Sequence, residues 1–330
     1  MARHIDDGIP LKADSKALSS PPMPPSYRYL GFGLNIASDT EFPELFPGGT
    51  GEPDITIRLG IPDESLFLGQ DDGKVWYEFL PELFRLNIPD AGRYLALSGK
   101  DVHFSVAEGA AASTTRVYVL TITMAALLMQ RGRFLLHASG VVHEGRVHLF
   151  MGESGSGKSS LLAELRRRGY RAFTDDVCVL SQGGAGGDSV MAHASYPMMK
   201  LLPESIERIG DPRNGFGHRI WPDEDKYGQF FHEDFATEAL PIGSVQILNV
   251  RPGHEGGYLS EKTTGVNAFL SLSENTYRRQ FMREISLASA HVGLLSSLIN
   301  QVPVRTLSRS AQHSDIPTFT DFTEELIKGS

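Results

Sequence analysis

The stretch Gly152-Glu153-Ser154-Gly155-Ser156-Gly157-Lys158-Ser159 is a complete G-x-x-x-x-G-K-S/T phosphate-binding motif. Its glycines allow consecutive backbone N–H groups to converge on phosphate oxygens without Cβ clashes. Lys158 would place its charge on the β- and γ-phosphates, and the Ser159 hydroxyl would bind Mg²⁺. The sequence therefore predicts a site for the phosphates of a nucleotide and for Mg²⁺, with the cofactor-binding residues Gly152, Glu153, Ser154, Gly155, Ser156, Gly157, Lys158, Ser159 and Ser160.

The segments around this motif supply the structural context that it requires. The apolar run Val147–Met151 predicts a strand before the loop, and Ser159–Arg168 predicts a helix that ends at Gly169. A further strand is predicted over Phe134–Val142, joined to the first by a Glu144-Gly145 turn. The order strand, glycine-rich loop, helix and strand is typical of an α/β nucleotide-binding core. It disfavours the alternative of a chance glycine-rich turn.

Two carboxylates, Asp175 and Asp176, follow the next predicted strand, Arg171–Thr174. Carboxylates beside a phosphate-binding loop suit Mg²⁺ ligation and removal of a proton from an attacking hydroxyl. A polar turn between two strands is the structural alternative. His137, within the apolar run Phe134–Val142, is the third candidate, although a lone histidine in such a run is more often a core residue.

Together these features resemble the catalytic core of HPr kinase/phosphorylase, a family of bacterial serine kinases. The family shares its P-loop fold with one type of phosphoenolpyruvate carboxykinase. It has a histidine ahead of the loop, then G-x-S/T-G-x-G-K-S, an R-G-H/Y segment and a terminal pair of aspartates. His137, Lys158, Arg168-Gly169-Tyr170 and Asp175-Asp176 match these elements. His137 precedes Lys158 by 21 residues and Lys158 precedes Asp176 by 18, in agreement with the family's spacing.

The resemblance implies a role for each matched residue. Lys158 would hold the transferring phosphate, Ser159 would bind Mg²⁺, and Asp175 would support the metal site. Asp176 would take the proton from a substrate serine, and His137 would position or polarise Asp176. The implied catalytic residues are therefore Asp176, His137 and Lys158, and the implied metal ligands are Ser159 and Asp175.

Outside residues 134–180 the chain departs from this family. Tyr196–Glu204 stands in place of the family's L-E-x-R-G-x-G signature. The chain is more similar to divergent HPr-kinase-like proteins from bacterial peptide-modification gene clusters, some of which phosphorylate a serine of a lasso-peptide precursor. The resemblance thus implies ATP-dependent transfer to a serine of a peptide or protein, with a lasso-type ribosomal-peptide precursor as the expected acceptor.

The sequence leaves open the activity, the oligomeric state and the identity of a catalytic cation. The protein could instead be a nucleotide-binding scaffold or regulator without catalysis, or a kinase of a small molecule. A GTPase is disfavoured because the chain has no N-K-x-D guanine-reading motif. HPr kinases assemble as hexamers, so a homo-oligomer is possible. A cation that offsets charge on the transferred group is also needed, and its candidates are Arg251, Arg278, Arg279 and Lys200.

Composition and charge restrict the classes of binding partner and the compartment that we expect for the protein. The 330 residues carry 31 basic and 40 acidic side chains, for a net charge of −9, which disfavours a nucleic-acid partner. The single Cys178 excludes a disulfide scaffold and fits a reducing compartment. The most apolar helical stretch, Val117–Met129, is shorter than the roughly 20 residues that span a bilayer, and the N-terminus has no apolar targeting segment. We therefore predict a soluble, cytoplasmic protein without a membrane partner.

The chain divides into three predicted segments: a proline-rich flexible tail over 1–25, a small β-rich domain over 26–112 and an HPr-kinase-like P-loop domain over 113–330. The second is predicted to be an antiparallel sheet, because apolar and polar residues alternate in Asp54–Leu59, Lys74–Phe79, Phe84–Ile88, Tyr94–Leu97 and Val102–Val106. The third begins with a helix over Val117–Gln130. Its later part is predicted to contain strands Ile242–Val250 and Val302–Leu307 and helices Val266–Ser273 and Phe281–Leu298.

Overall fold

Three β-sheets, of eight, nine and two strands, and the helices packed on them form the described part of the protein. The computed structural model describes residues 25–68, 73–183, 189–209, 219–220, 225–251, 257–310 and 315–329. The predicted mixed α/β class is confirmed. Residues 1–24, nearly all of the predicted tail, lie outside the described residues, and the domain boundary at residue 112 stays a prediction.

The first sheet contains eight of the described strands, in the order β3-β1-β2-β4-β8-β7-β6-β5. They are β1 (Tyr27–Gly31), β2 (Leu34–Ser38), β3 (Phe46–Pro47), β4 (Ile55–Leu59), β5 (Trp76–Leu80), β6 (Leu83–Ile88), β7 (Gly92–Leu97) and β8 (Asp101–Phe104). The five predicted strands are present, but the prediction of a purely antiparallel sheet is wrong. β4 runs parallel to both β2 and β8, because the long connections before and after β4 return the chain to the same end of the sheet.

A buried helical segment leads out of the first sheet. It consists of α1 (Ala112–Tyr118), a π-helical turn (Val119–Thr123) and α2 (Met124–Gln130). Its 19 residues are long and apolar enough to cross a membrane, so the prediction that this stretch is too short is wrong. However, 72% of its most apolar window is buried inside the protein, and α2 packs on β7 and β8. A core helix passes the same test, so the segment is weak evidence for a membrane span.

The second sheet holds the predicted nucleotide-binding segments, and a short two-stranded sheet lies beside it. The strand order of the second sheet is β12-β10-β11-β17-β14-β13-β9, and in addition β19 pairs with β17 and β18 pairs with β19. β11 and β19 both run parallel to β17. The remaining strands are β9 (Phe134–Leu136), β10 (Ala138–His143), β11 (Arg146–Met151), β12 (Arg171–Thr174), β13 (Cys178–Gly183), β14 (Ser189–Ala194), β15 (Met198–Leu201), β16 (Tyr227–Phe230), β17 (Leu240–Arg251), β18 (Leu259–Lys262) and β19 (Val304–Ser310).

The helices of this half cover the sheet. They are α3 (Lys158–Arg167), α4 (Pro203–Ile209), α5 (Gly265–Glu274), α6 (Arg279–Glu284), α7 (Ala288–Gln301) and α8 (Ile316–Lys328). α3 packs on β10 and α8, and α7 packs on β14. The single predicted helix Phe281–Leu298 is in fact two helices, α6 and α7, because Ser286 has a left-handed backbone with φ of 57°. The Phe281 ring lies 5.1 Å from Phe79, which ties α6 to the first sheet.

The predicted strand Phe134–Val142 is also two strands, and the break falls at His137. β9 pairs with β13, whereas β10 pairs with β11 and β12. The His137 backbone N–H donates to the Asn275 carbonyl oxygen at 2.7 Å instead of to a ladder partner. The break places the His137 side chain at the end of the strands that flank the glycine-rich loop.

Candidate active site

The loop between β11 and α3 bends through three glycines with positive φ, at Gly152, Gly155 and Gly157. Gly152 has φ of 141°, and a Cβ there would lie 2.5 Å from the Leu248 carbonyl oxygen on β17. A side chain at this position would displace the loop from the sheet. The hydroxyl of Ser156, inside the same loop, is buried without a hydrogen-bond partner among the described residues. The loop therefore fits a group that brings acceptor oxygens, such as a phosphate.

Lys158, the first residue of α3, is folded back into the loop. Its Nζ donates to the Gly152 carbonyl oxygen at 2.8 Å and to the Glu153 carbonyl oxygen at 3.0 Å. Burial lowers the pKa of Lys158, although the charges of Asp175 and Asp176 act in the opposite direction. The lysine thus lies where the loop would meet a polyphosphate.

Ser159 and Asp175 meet beneath the loop. The Ser159 hydroxyl donates to Asp175 Oδ1 at 3.0 Å, and the Ser139 hydroxyl on β10 donates to the same oxygen at 2.6 Å. The Lys200 backbone N–H donates to Asp175 Oδ2 at 3.1 Å. Burial raises the pKa of Asp175, and these hydrogen bonds oppose that rise.

The Ser159 and Asp175 oxygens suit Mg²⁺. Ligands 2.0–2.1 Å from an octahedral Mg²⁺ lie about 2.9 Å from their neighbours, and these two oxygens are 3.0 Å apart. The described residues hold no group of three or more His, Cys, Asp and Glu side chains arranged for a metal. Two protein oxygens agree with Mg²⁺, which usually keeps several waters and binds substrate phosphates.

Asp176 sits between a lysine and a histidine. Its Oδ2 lies 2.6 Å from Lys200 Nζ and its Oδ1 lies 3.2 Å from His137 Nδ1. Burial alone would raise the pKa of Asp176, but the Lys200 charge and the His137 hydrogen bond outweigh it and hold this pKa well below its usual range. The same ion pair raises the pKa of Lys200 despite its burial. Asp176 adopts a left-handed backbone with φ of 77°, a conformation that costs energy in a non-glycine residue and often marks functional sites.

Asn275, at the end of α5, joins the loop to His137. Its Oδ1 accepts the Gly152 backbone N–H at 3.0 Å, and its carbonyl oxygen accepts the His137 backbone N–H at 2.7 Å. One residue therefore fixes both the start of the loop and the break between β9 and β10.

Two cavities meet at His137. A cavity of about 940 Å³ is lined by the loop residues 152–156, by β17 and by the end of α5. A second, of about 500 Å³, is lined by residues 276–280. His137 and Glu274 line both cavities, so they lie on the wall that the two cavities share.

Most of the predicted site residues lie close together in the structure, and Ser160 does not. His137, Lys158, Ser159, Asp175 and Asp176 are brought together, whereas the Ser160 hydroxyl faces away and bonds to the Ser205 hydroxyl at 3.1 Å. Of the candidate cations, Lys200 is in the cluster, Arg278 and Arg279 line the second cavity, and Arg251 is paired with Glu261 at 2.8 Å. Three further residues of the site carry no sequence signal that marks them: Ser139, Asn275 and Arg309. Arg309 donates to the Ser156 carbonyl oxygen at 3.4 Å.

Comparisons with known proteins do not assign a function to this site. No protein-family model matches the chain, and no curated protein matches it. Among solved structures, the chain is similar to the HPr(Ser) kinase/phosphatase from Coxiella burnetii at 11% sequence identity, over 58% of this chain and 88% of that chain, with a TM-score of 0.29. A likeness at that TM-score carries no argument about fold or activity. The described residues define a mixed α/β protein with a glycine-rich strand–loop–helix unit and a buried carboxylate cluster.

Proposed function

We propose that the protein is an ATP-dependent phosphotransferase that moves the γ-phosphate to the serine hydroxyl of a peptide or protein. One observation carries the proposal: Lys158, Ser159, Asp175, Asp176 and His137 form one connected cluster at the glycine-rich loop. A simple nucleotide-binding site needs the loop and its lysine. It does not need a second carboxylate, Asp176, held beside a histidine that lines the cavity.

The loop would bind the ATP phosphates through its backbone N–H groups and the start of α3, where the helix dipole favours negative charge. Lys158 would exchange its loop carbonyl partners for phosphate oxygens. Mg²⁺ would be held by Ser159 and Asp175, and when bound it would neutralise charge on the phosphates. The larger cavity, on which the loop residues lie, has room for the rest of the nucleotide.

The acceptor hydroxyl would approach from the side of His137 and Asp176. Transfer of a phosphoryl group depends mainly on positioning and charge stabilisation. Lys158 supplies charge on the nucleotide side. The His137–Asp176 pair orients the hydroxyl and receives its proton. Lys200 keeps Asp176 ionised for this task.

The identity of the acceptor rests on the sequence resemblance alone. It favours a serine of a peptide, with a lasso-type ribosomal-peptide precursor as the first acceptor to test. A small-molecule kinase and a nucleotide-binding scaffold or regulator without catalysis are the alternatives. A cytoplasmic location, the absence of nucleic-acid and membrane partners, and assembly into a homo-oligomer stay predictions.

The test is transfer of label from γ-labelled ATP with Mg²⁺, with HPr and a serine-tailed precursor peptide as separate acceptors and Lys158→Ala as the blank. We expect label on the peptide and none on HPr. Label on HPr would instead identify an HPr kinase. Label on neither, with ATP still bound, would contradict a peptide kinase and favour a small-molecule acceptor or the scaffold.

Asp176→Asn separates catalysis from binding in the same assay. We expect it to abolish transfer while ATP binding survives, because the Asp176 carboxylate contacts His137 and Lys200, whereas the loop and Lys158 would bind the phosphates. Unchanged turnover in this variant would contradict the proposed mechanism.

A further inference from the structure

The hydrogen bonds of His137 fix where its ring proton lies. Nδ1 is 2.9 Å from the Asp176 carbonyl oxygen and 3.2 Å from Asp176 Oδ1. Both oxygens only accept hydrogen bonds, so Nδ1 must carry the proton of the neutral imidazole. Nε2 then keeps a lone pair, and no group within the described ranges forms a hydrogen bond to it.

The position of the ring exposes that lone pair where two substrates would meet. The His137 side chain is 35% exposed. It lies on the wall shared by the cavity that holds the glycine-rich loop and the smaller cavity lined by Tyr277, Arg278 and Arg279. A hydroxyl entering through the smaller cavity toward the loop would pass the imidazole before it reached a phosphate.

Asp176 is less available to that hydroxyl. Its Oδ2 is held by the Lys200 ammonium at 2.6 Å and its Oδ1 faces His137. Its side chain is 16% exposed and lines neither of the two cavities. A hydroxyl could bond to this carboxylate only by displacing Lys200 or His137.

We propose, on the basis of the phosphotransferase function above, that His137 Nε2 takes the proton of the acceptor hydroxyl and that Asp176 is a positioning residue. As the hydroxyl oxygen bonds to the γ-phosphorus, its proton moves to Nε2. The bond between the γ-phosphorus and the β–γ bridging oxygen breaks, and ADP leaves with that electron pair. Asp176 stabilises the imidazolium, which returns its proton to solvent after the products leave. This reverses the roles that the family resemblance implies for the two residues.

The tautomer of the His137 ring can be measured without a phosphate-acceptor substrate, and it tests the proposal. Nitrogen-15 NMR of the full chain with labelled histidine distinguishes the two neutral tautomers, and the His137 signals are identified as those lost in His137→Gln. We expect the proton on Nδ1 in the wild-type protein and also in Asp176→Asn, in which the backbone carbonyl oxygen of residue 176 still accepts from Nδ1. A wild-type His137 with its proton on Nε2 would overturn the proposal. Because this readout needs no transfer, a wrong tautomer and a failure of the phosphotransferase function are distinguishable results.

Chemical rescue tests the catalytic step itself. His137→Gly should lower peptide labelling at least about a hundredfold, the lower range for loss of a general base, with ATP binding unchanged. Free imidazole should restore that activity at least tenfold in His137→Gly and should not restore it in Lys158→Ala. A His137→Gly protein within threefold of wild type, or a folded one that imidazole does not rescue, overturns the assignment.

Discussion

Lys200 Nζ lies 2.6 Å from Asp176 Oδ2, so a largely buried ammonium neutralises a largely buried carboxylate that also contacts His137. The backbone N–H of the same lysine donates to Asp175 Oδ2 at 3.1 Å. One residue of β15 therefore orders both carboxylates of the candidate site. This relationship makes Lys200 a structural requirement of the site as well as a source of charge.

Removing the Lys200 charge should destabilise the fold. Lys200→Met leaves Asp176 buried without its cation, and breaking a buried ion pair from one side costs about 3–5 kcal/mol. We expect a fall of about 3 kcal/mol in the free energy of unfolding measured in urea. Lys262→Met, at an exposed lysine, is the control and should change it by less than about 0.5 kcal/mol. If the double variant Lys200→Met/Asp176→Asn were no more stable than Lys200→Met, the ion pair would not be the cause.

The two adjacent serines of α3 should differ in their effect on Mg²⁺-dependent binding. Ser159→Ala removes an oxygen 3.0 Å from Asp175 Oδ1, so we expect ATP affinity in the presence of Mg²⁺ to fall at least about tenfold. Affinity in the presence of EDTA should change little. Ser160→Ala, whose hydroxyl bonds to Ser205, should stay within twofold under both conditions. Titration calorimetry measures all four affinities, and equal losses in both variants would contradict the assigned Mg²⁺ ligand.

Gly152 and Gly155 should tolerate alanine to different degrees. A Cβ at Gly152 would meet the Leu248 carbonyl oxygen at 2.5 Å, whereas a Cβ at Gly155 would have no heavy atom within 4 Å. Gly155→Ala carries only the cost of a left-handed backbone, about 1–2 kcal/mol. Gly152→Ala should cost more than this and abolish ATP binding, because the loop must move off β17 to accommodate the Cβ. Equal unfolding free energies for Gly152→Ala and Gly155→Ala, with ATP binding retained in Gly152→Ala, would show that the loop does not depend on the close approach of Gly152 to Leu248.

His148 should make stability fall in mild acid. Its Nδ1 lies 2.7 Å from the Ser244 hydroxyl oxygen, and burial, aided by the charges of His143 and Arg146, lowers its pKa to about 4. The unfolded chain binds a proton below about pH 6.5 and the folded chain does not, so stability drops between about pH 6.5 and pH 4 and levels off below.

The expected size of this effect is about 2 kcal/mol between pH 7.5 and pH 5. The wild-type free energy of unfolding should fall by that much more than that of His148→Gln over the same range. Parallel pH profiles for the two proteins would mean that His148 is protonated equally in the folded and unfolded states.

The elements next to the glycine-rich loop could be predicted because their signals are local. Apolar runs and turn residues predicted β11, α3 and β12 within a residue or two of their observed bounds. The Glu144-Gly145 turn was predicted too, and both residues have positive φ, as a two-residue hairpin requires. The adjacent Asp175 and Asp176 follow β12 as expected. Neighbours in sequence were thus enough to find this part of the site.

The partners of these residues could not be predicted, since they come from distant segments. The strand Phe134–Val142 reads as one apolar run, and only the Asn275 carbonyl, far along the chain, accounts for the break at His137. Lys200 was one of four candidate cations, and no pattern distinguished it from Arg251, which pairs with Glu261 and not with Asp176. The parallel placement of β4 likewise depends on long connections that periodicity does not encode.

The sequence by itself determined the strand–loop–helix unit, because glycine conformations, apolar periodicity and helix termination act over a few residues. It also determined which side chains could bind phosphate and Mg²⁺, since Lys158 and Ser159 are fixed to the start of α3. Only the tertiary structure decided that Asp176 contacts both His137 and Lys200. These contacts depend on where the chain passes from β9 to β10, where β12 ends and where β15 lies. Strand pairing between distant segments is set by packing of the whole core rather than by any local pattern.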